Sequence, residues 1–322
     1  MYGLWNLENL QRHSERLLSM KYLFYLVVVA MLFACNSSPS VKEDDNETTS
    51  KGHIRISVDE SFKPVIEEQL KVFRSSFPKA TIIAEYKPEA ECLRDLQNDS
   101  TRMILISRGL TSDENKSYTQ RLNYRPIFGD IAEDAVAVVV NNNQADSVFT
   151  MTEIKSILLG TSTRNLQVAV DGNSATSTVR YLIDSVLDGK PLSKNVMGAK
   201  NSADLINYIA STPGAVGFVG VSWLTNPQTP EQEQAVAKVK MALIECQNCD
   251  KDTFARPSQQ TIMFQQYPLV RGLYYVLKEN FAGLGSGFVN FLTLERGQLI
   301  FSRALLVPSQ MQFNRRQTNL SE

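Results

Sequence analysis

Histidine is scarce in this chain of 322 residues, which has two copies, His13 and His53, both at or before the first predicted strand. A His-rich zinc or di-iron site is therefore excluded, and a catalytic triad built on histidine is disfavoured. An excess of positive charge is also absent, because 33 Lys and Arg stand against 34 Asp and Glu. We therefore expect no enzymatic activity, no metal or cofactor, and no nucleic-acid partner held by a basic surface.

The apolar run at residues 22–34 has 13 residues, which is too short to cross a bilayer as a stable anchor. Lys21 precedes this run and the small residue Ala34 ends it, as in a secretory signal. We predict a signal peptide over residues 1–34, and the alternative is an apolar helix of the core. Because Met20 stands directly before Lys21, residues 1–19 reflect an upstream start codon or an extended first region of the signal.

Residues 32–35, Leu-Phe-Ala-Cys, resemble the lipobox of bacterial lipoproteins. The resemblance implies that Cys35 becomes a lipidated first residue. Residues 36–51 contain one valine among polar and charged residues and cannot bury enough surface to offset the entropy of ordering. We therefore predict a lipidated cysteine and flexible tether over residues 35–51, in an exported, membrane-anchored lipoprotein that faces the periplasm.

After the tether, strand-like and helix-like patterns alternate, which predicts an α/β fold. Residues 53–58 place Ile54, Ile56 and Val58 on one face of a strand, and Pro64 then opens a helix with apolar residues three or four positions apart. Further strands are predicted at 81–85, 103–106, 133–140, 166–170, 216–219 and 236–244, with helices at 178–187 and 288–305.

Two of the predicted strand-to-helix junctions have the chemistry of anion-binding sites. Residues 59–64 include Ser61, and residues 171–180 include Thr176, Ser177 and Thr178. A helix N-terminus offers unpaired N–H groups and the positive end of the helix dipole, and hydroxyls add donors without a competing charge. The alternative is that these residues are ordinary helix caps, which Ser and Thr also favour.

A set of motifs, in order along the chain, resembles the phosphate-binding proteins of bacterial ABC importers over roughly residues 52–308. The motifs are Ser61-Phe62, residues 107–114 (Ser-Arg-Gly-Leu-Thr-Ser-Asp-Glu), residues 176–178, residues 214–219 (Gly-Ala-Val-Gly-Phe-Val), residues 267–274 (Tyr-Pro-Leu-Val-Arg-Gly-Leu-Tyr) and residues 285–298. The resemblance implies a two-lobed α/β fold, the type II periplasmic-binding-protein fold, with a hinge of two crossing strands. Lobe 1 is predicted at 52–130 and 270–322, and lobe 2 at 135–265.

The same resemblance assigns ligand contacts to particular residues. Ser61 and the N–H of Phe62 match the contact of the first lobe, and Thr176, Ser177 and Thr178 match the family's Ser-Gly-Thr of the second. Where the family has a buried Asp after a Ser, this chain has Ser107 followed by Arg108. The family's Arg ahead of Ser-Gly-Thr is missing too, and Arg180 lies downstream instead.

The exchange of an acceptor for a guanidinium predicts poor discrimination between phosphate and sulfate, if Arg108 faces the ligand. Glu89 is expected near this position. It pairs with Arg108, supplies the lost acceptor, or simply caps the helix that follows Pro88. Arg108 itself has the alternative of pointing to solvent or pairing structurally.

These observations predict a lipid-anchored, monomeric solute-binding protein that captures inorganic phosphate or a related oxyanion and passes it to an ABC permease in the membrane. The alternative is a sensory or structural adaptor on the same fold that no longer binds phosphate. Cys246 and Cys249 have C-x-x-C spacing, which in an exported protein favours a local disulfide or two surface thiols.

Overall fold

The computed structural model describes residues 47–172 and 176–310. The predicted signal peptide, Cys35 and residues 36–46 of the predicted tether lie outside the described residues. Residues 47–51, the end of the predicted tether, belong to the folded domain: the Glu47 carboxylate accepts a hydrogen bond from the Leu284 N–H at 3.0 Å and pairs with Arg102 at 3.4 Å. In the part of the chain described, no helix has the length and apolar character needed to cross a membrane.

Strands and helices alternate through the described chain, which confirms the predicted α/β class. The strands are β1 Gly52–Asp59, β2 Ala80–Lys87, β3 Thr101–Ile106, β4 Ile127–Asn141, β5 Val148–Phe149, β6 Gln167–Val170, β7 Met197–Gly198, β8 Ala215–Gly220, β9 Val239–Met241, β10 Leu243–Glu245, β11 Phe254–Ala255, β12 Val270–Leu277 and β13 Val307–Pro308. The helices are α1 Lys63–Ser76, α2 Glu89–Asp95, α3 Ser112–Leu122, α4 Met151–Leu159, α5 Ser177–Tyr181, α6 Ser202–Ser211, α7 Ser222–Thr225, α8 Pro230–Val236, α9 Gln259–Met263, α10 Leu284–Thr293 and α11 Glu295–Arg303.

The long strand β4 passes from one half of the main sheet to the other, in the strand order β2-β1-β3-β12-β4-β8-β6-β7. Its first half pairs with β12, from Ile127 opposite Leu277 to Ala135 opposite Val270. Its second half, from Val136 to Val140, pairs with β8. Strand β4 and the chain that enters β12 therefore connect two halves of the sheet, which we call lobe 1 (β1, β2, β3, β12) and lobe 2 (β6, β7, β8). We call β4 and β12 the hinge strands.

The apolar patterns of the sequence account for the placement of these elements. Ile54, Ile56 and Val58 of β1 are buried, as their alternation predicts. Helix α1 begins beside Pro64 and turns Val65, Ile66, Leu70 and Phe73 inward. Tyr267 is fully buried, and its hydroxyl donates a hydrogen bond to the Val136 carbonyl at 2.8 Å. This hydrogen bond holds the segment that leads into β12 against the middle of β4.

Three predicted elements differ from the structure. The helix predicted at 178–187 is the short helix α5 followed by a π-helical turn, Leu182–Val186. The strand predicted at 236–244 is the end of helix α8 followed by the short strands β9 and β10. The helix predicted at 288–305 is two helices that meet at Leu294. A Cβ atom on Gly297 would lie 2.2 Å from the Phe291 carbonyl oxygen, so the backbones of α10 and α11 pack in direct contact and the chain must bend there. Cys246 and Cys249 form a disulfide.

Candidate functional site

Hydroxyl groups from both lobes meet where β1 and β6 end. A short 3-10 turn, Glu60–Phe62, follows β1 and buries Ser61, and α5 follows β6 with Ser177 and Thr178 in its first turn. The Ser61 hydroxyl lies 3.2 Å from the hydroxyl of Ser177 and 3.4 Å from that of Thr178. Strands β1 and β6 run in opposite directions in the main sheet, so their carboxyl ends approach the boundary between the lobes from either side, and residues far apart in sequence meet there.

Asp171 lies at the centre of this group. Its carboxylate accepts hydrogen bonds from the hydroxyls of Thr178 at 2.8 Å, Thr176 and Ser202 at 3.3 Å, and Ser61 at 3.4 Å. We call Ser61, Thr176, Ser177, Thr178 and Ser202 the hydroxyl cluster. Burial raises the pKa of Asp171 to about 8, and the nearby charge of Arg271 offsets only part of that rise. Four hydroxyls of the cluster, all but that of Ser177, thus donate hydrogen bonds to the oxygens of one carboxyl group.

Arg271 brings a positive charge to the hydroxyl cluster. It stands opposite Asp134 in the β12–β4 pairing, and its Nε donates to the Asp134 carboxylate at 2.9 Å. Its Nη1 donates to the hydroxyls of Ser177 at 2.9 Å and Thr178 at 3.1 Å. The guanidinium also lies 4.9 Å from the centre of the Phe62 ring, a cation–π distance. The hinge strands therefore deliver the cation to the point where the lobes meet.

Gly220, at the end of β8, makes this close approach possible. A Cβ atom there would lie 3.0 Å from the Ser61 carbonyl oxygen and 3.1 Å from Nη2 of Arg271. Both neighbours are held in place, Ser61 by the backbone and Arg271 by Asp134. A side chain at position 220 would therefore push apart the contact between the lobes.

Buried acids outnumber buried cations around the cluster. Asp59, Asp134 and Asp171 have no exposed surface, and Arg271 is 5% exposed. Asp59 accepts a hydrogen bond from the Ser61 N–H at 2.8 Å, whereas its second oxygen, Oδ2, has no partner among the described residues. Burial raises the pKa of all three carboxyls. These shifts arise because a single guanidinium cannot compensate three carboxylates that are shielded from water.

A second contact between the lobes is an ion pair, Glu89–Arg180. Glu89 of lobe 1 is 1% exposed and accepts hydrogen bonds from the N–H of Ser107 at 2.9 Å and from its hydroxyl at 2.8 Å. Arg180 of lobe 2 donates from Nε to Glu89 and from Nη2 to the Ser107 hydroxyl at 2.6 Å. Burial alone would raise the pKa of Glu89, but the hydrogen bond and charge of Arg180, together with Ser107, outweigh it and lower the pKa.

Arg108 does not take the place expected for it. Its two terminal nitrogens bind the two carboxylate oxygens of Glu114 at 2.7 and 2.8 Å. Glu114 also completes the capping box of α3 with Thr111, and the hydrogen bond from Arg108 lowers the pKa of Glu114 to about 2. Of the alternatives for Glu89, the pair with Arg108 does not form: Arg108 takes its other alternative, a structural pair with Glu114, and Glu89 binds Arg180.

The structure therefore brings together most residues that the sequence singles out, but in two groups. Ser61, Phe62 and residues 176–178 lie around Asp171 and Arg271, whereas Glu89, Ser107 and Arg180 form the ion-pair contact. The residues that sequence reasoning missed are Arg271, Asp171, Asp59 and Ser202. Asp171 directly precedes the hydroxyl-rich run, which is a usable signal, and Arg271 lies in the motif 267–274 that carries the family resemblance. In the two described ranges, His, Cys, Asp and Glu form no group of three or more suited to a metal.

Comparisons with known proteins agree with this architecture. A family model described as "PBP superfamily domain" matches residues 44–296. None of the curated proteins matches the chain significantly. Among solved structures, a Clostridium perfringens protein, assigned as the substrate-binding protein of a phosphate ABC transporter and solved with bound phosphate, has a TM-score of 0.65 at 18% identity, over 80% of this chain and 99% of that one. An ABC-type phosphate transport receptor from Vibrio cholerae has a TM-score of 0.57 at 17% identity, over 80% of this chain and 100% of that one. These matches confirm the predicted two-lobed fold.

Proposed function

Because this chain belongs to the PBP superfamily and has the type II periplasmic-binding-protein fold, we propose that it captures a small oxyanion, phosphate first of all, between its lobes. In this proposal it presents the anion to an ABC permease and catalyses no reaction. It works as a monomer, as one two-lobed chain suffices to enclose the ligand. The similar proteins of Clostridium perfringens and Vibrio cholerae, which are assigned to phosphate transport, support this choice of ligand.

The observation that carries the proposal is the convergence of Ser61, Ser177, Thr178 and Arg271. Their donor atoms come from both lobes and lie within 3.4 Å of one another along the chain of contacts. Hydroxyls donate to anionic oxygens without bringing a charge of their own, and Arg271 supplies the one positive charge. The carboxyl of Asp171 already accepts hydrogen bonds from Ser61 and Thr178, which indicates that these donors suit an oxygen-bearing acid.

Asp171 also supplies the buried acid that the sequence motif at Arg108 lacks. When ionised it accepts a hydrogen bond from the proton of hydrogen phosphate, whereas sulfate has no such proton and is repelled. Selectivity for phosphate over sulfate thus depends on Asp171 in this proposal, and Arg108 has no part in it.

Binding is coupled to the movement of the lobes. Ser61 belongs to lobe 1, and Ser177 and Thr178 to lobe 2, so a ligand that contacts all three stabilises the closed arrangement over an open one. In an open arrangement the hydroxyl protons are free to rotate from Asp171 to the oxygens of an entering anion.

The test is equilibrium binding of radiolabelled phosphate to the chain from Asn36 to Glu322. We expect saturable binding with one site per chain, weakened by Ser61→Ala. Thr150→Ala is the matched control, because Thr150 caps α4 away from the cleft. Absence of saturable phosphate binding, or equal effects of the two changes, would contradict the proposal.

We further propose that Cys35 carries a lipid that anchors the exported chain, with the domain facing the periplasm and tethered near its permease. Metabolic labelling with palmitate tests this directly. Cys35→Ser should lose the label, and Cys92→Ala, which changes the buried free cysteine, should keep it. Label that persists on Cys35→Ser rules the anchor out.

A further inference from the structure

A groove of about 550 Å³ opens between the lobes at the edge of the hydroxyl cluster. Asp171 and Thr176 of the cluster form part of its wall, so the groove is continuous with the proposed phosphate site. Its volume falls in the range of sites for ligands much larger than orthophosphate. A site that enclosed orthophosphate alone would not need this space.

Each lobe contributes a lysine to the groove that is not neutralised by an ion pair. Lys63 comes from the start of α1 in lobe 1, and Lys200 precedes α6 in lobe 2. Neither ammonium group has a salt-bridge partner among the described residues, whereas Lys87, which also lines the groove, binds Glu85 and Asp95 at 2.6 Å each. The Lys63 ammonium lies 5.4 Å from the centre of the Tyr86 ring, which also lines the groove. Because no carboxylate of the described residues holds Lys63 or Lys200 in a salt bridge, both ammonium groups can move to an anionic group in the groove.

The acids of the groove have other partners. Glu60 accepts hydrogen bonds from the hydroxyl of Ser202 at 2.8 Å and from its N–H at 3.3 Å, and burial raises the pKa of Glu60. Glu91 lies 3.6 Å from Arg94. Asp171, the third acid of the groove wall, accepts hydrogen bonds from the hydroxyl cluster. Each acid therefore has a hydroxyl or Arg94 as its partner, and although the charge of Lys63 also acts on Glu60, neither Lys63 nor Lys200 is held in a salt bridge within the described ranges.

Trp223 gives an independent indication of a ligand. Its side chain lines the groove and is 3% exposed, and its indole Nε1–H has no hydrogen-bond partner among the described residues. Buried donors in folded proteins nearly always find an acceptor in the protein, in water or in a ligand. Because Trp223 lines the groove, an anionic oxygen bound there is an acceptor that this N–H can reach after a small rotation of the side chain.

We propose that the groove is a second anion subsite, and that the preferred ligand carries two phosphoryl groups, diphosphate being the simplest. This inference rests on the proposed function, since one phosphoryl group binds the hydroxyl cluster. The second lies in the groove, where Lys63, Lys200 and the Trp223 N–H donate to it. Because the two lysines belong to different lobes, the second group also draws the lobes together.

The experiment uses the chain from Asn36 to Glu322, in which Trp223 is the one tryptophan, since the other, Trp5, lies upstream. Calorimetric titrations with diphosphate and with orthophosphate give the two affinities, and Trp223 emission reports the groove directly. We expect diphosphate to bind at least tenfold more tightly and to shift the emission. Glycerol 3-phosphate, an ester with one phosphoryl group, should bind no more tightly than orthophosphate.

Two lysine variants test the assignment of the second group. Lys63→Gln and Lys200→Gln should each lower the ratio of diphosphate to orthophosphate affinity about threefold to tenfold, and Trp223→Phe should lower it severalfold. Lys194→Gln, an exposed lysine outside the groove, is the matched control and should keep the ratio of the unchanged protein.

The outcomes separate the two proposals. If diphosphate binds no better than orthophosphate, or if the lysine variants keep the affinity ratio, the groove subsite is wrong and phosphate binding stands. If Ser61→Ala leaves the affinities for diphosphate and orthophosphate unchanged, the hydroxyl cluster does not bind the first phosphoryl group. If glycerol 3-phosphate binds more tightly than orthophosphate, the groove accepts an organic substituent rather than a second phosphoryl group, and the proposed class of ligand is wrong.

Discussion

The two contacts between the lobes, the hydroxyl cluster and the Glu89–Arg180 pair, are built from different chemistry. The cluster joins the lobes through neutral hydroxyls around Asp171, all of them buried. The ion pair joins them through opposite full charges, and the Arg180 side chain is 30% exposed. A hydroxyl exchanges one acceptor for another by rotating its proton, whereas a paired charge has to be separated from its partner. The hydroxyl cluster can therefore exchange a protein acceptor for a ligand oxygen, whereas the Glu89–Arg180 pair holds the lobes together. We call this pair the latch.

The difference also extends to how each contact responds to loss of a residue. Removal of one partner from a fully buried charge pair such as Arg271–Asp134 leaves an uncompensated charge and costs about 3–5 kcal/mol. The cost is smaller for the Glu89–Arg180 pair, because the Arg180 side chain is 30% exposed and water screens the charges. Loss of one hydroxyl from a cluster leaves the other donors in place, and the net value of a hydrogen bond is about 1 kcal/mol. Arg271 takes part in both kinds of interaction, because it forms an ion pair with Asp134 and donates hydrogen bonds to the hydroxyls.

Arg271→Met should break the cluster completely. It leaves Asp134 buried without a cation, so we expect the free energy of unfolding to fall by about 3–5 kcal/mol and phosphate binding to disappear. The double change Asp134→Leu with Arg271→Met replaces the pair by apolar groups and should recover most of the stability but none of the binding. Urea unfolding and phosphate titration measure the two effects. Phosphate affinity that survives in Arg271→Met would show that the hinge cation is not part of the site.

Ser61→Ala and Thr178→Val should each weaken phosphate binding about fivefold or more, because each removes a hydrogen bond to a charged ligand. The midpoint of thermal unfolding should change little. Thr150→Ala, the loss of an ordinary helix cap, should do the opposite: it costs about 0.5–2 kcal/mol of stability and leaves affinity unchanged. If Thr178→Val lowers stability as much as Thr150→Ala and keeps the affinity, Thr178 is a structural hydroxyl.

The free energy of unfolding and the competition by sulfate should both depend on pH through the buried carboxyl of Asp171. Asp171 has a folded-state pKa of about 8 against an ordinary value of 3.8, so between these values the folded chain holds a proton that the unfolded chain releases. The free energy of unfolding should therefore fall as pH rises from about 4 to about 8. Above pH 8 the ionised carboxyl repels sulfate, and competition by sulfate against phosphate should weaken.

Asp171→Asn should flatten both pH profiles. Asp59, Glu60 and Arg271 also face this carboxyl, and the raised pKa of Asp59 contributes to stability with the same sign. We therefore expect a reduced slope of stability rather than none, and loss of the change in sulfate competition. An unchanged sulfate profile in Asp171→Asn would exclude Asp171 as the group that reads the ligand proton.

The smallest expected effect concerns the latch. Arg180→Met removes the partner of Glu89 across the lobes, so the closed arrangement is less favoured and phosphate affinity should fall about threefold. Arg108→Met is the matched control, because its partner Glu114 lies within lobe 1. Small-angle scattering should show a larger radius of gyration only for Arg180→Met. Equal loss of phosphate affinity in the two variants would indicate that Arg108 also acts between the lobes.

Arg108 shows why sequence position alone misassigned a contact. The resemblance placed it at the ligand because it follows Ser107 at a strand end. The capping box Thr111-x-x-Glu114 is visible in the sequence and places a carboxylate six residues after Arg108. Arg108 binds this local partner and is therefore not directed at the cleft. Arg180, by contrast, reaches Glu89 over a separation of 91 residues, which no local pattern indicates.

What the sequence determined by itself is local. The alternation in β1, the Pro64 helix start and the hydroxyl-rich run before α5 follow from periodicity and capping, so they identified the α/β class and two strand-to-helix junctions with donor groups. Only the tertiary structure decided that Ser61 meets Ser177 across 116 residues and that Arg271 reaches both Asp134 and the hydroxyls. The raised pKa of Asp171 is also a tertiary property, because it depends on how completely the two lobes exclude water from one carboxyl group.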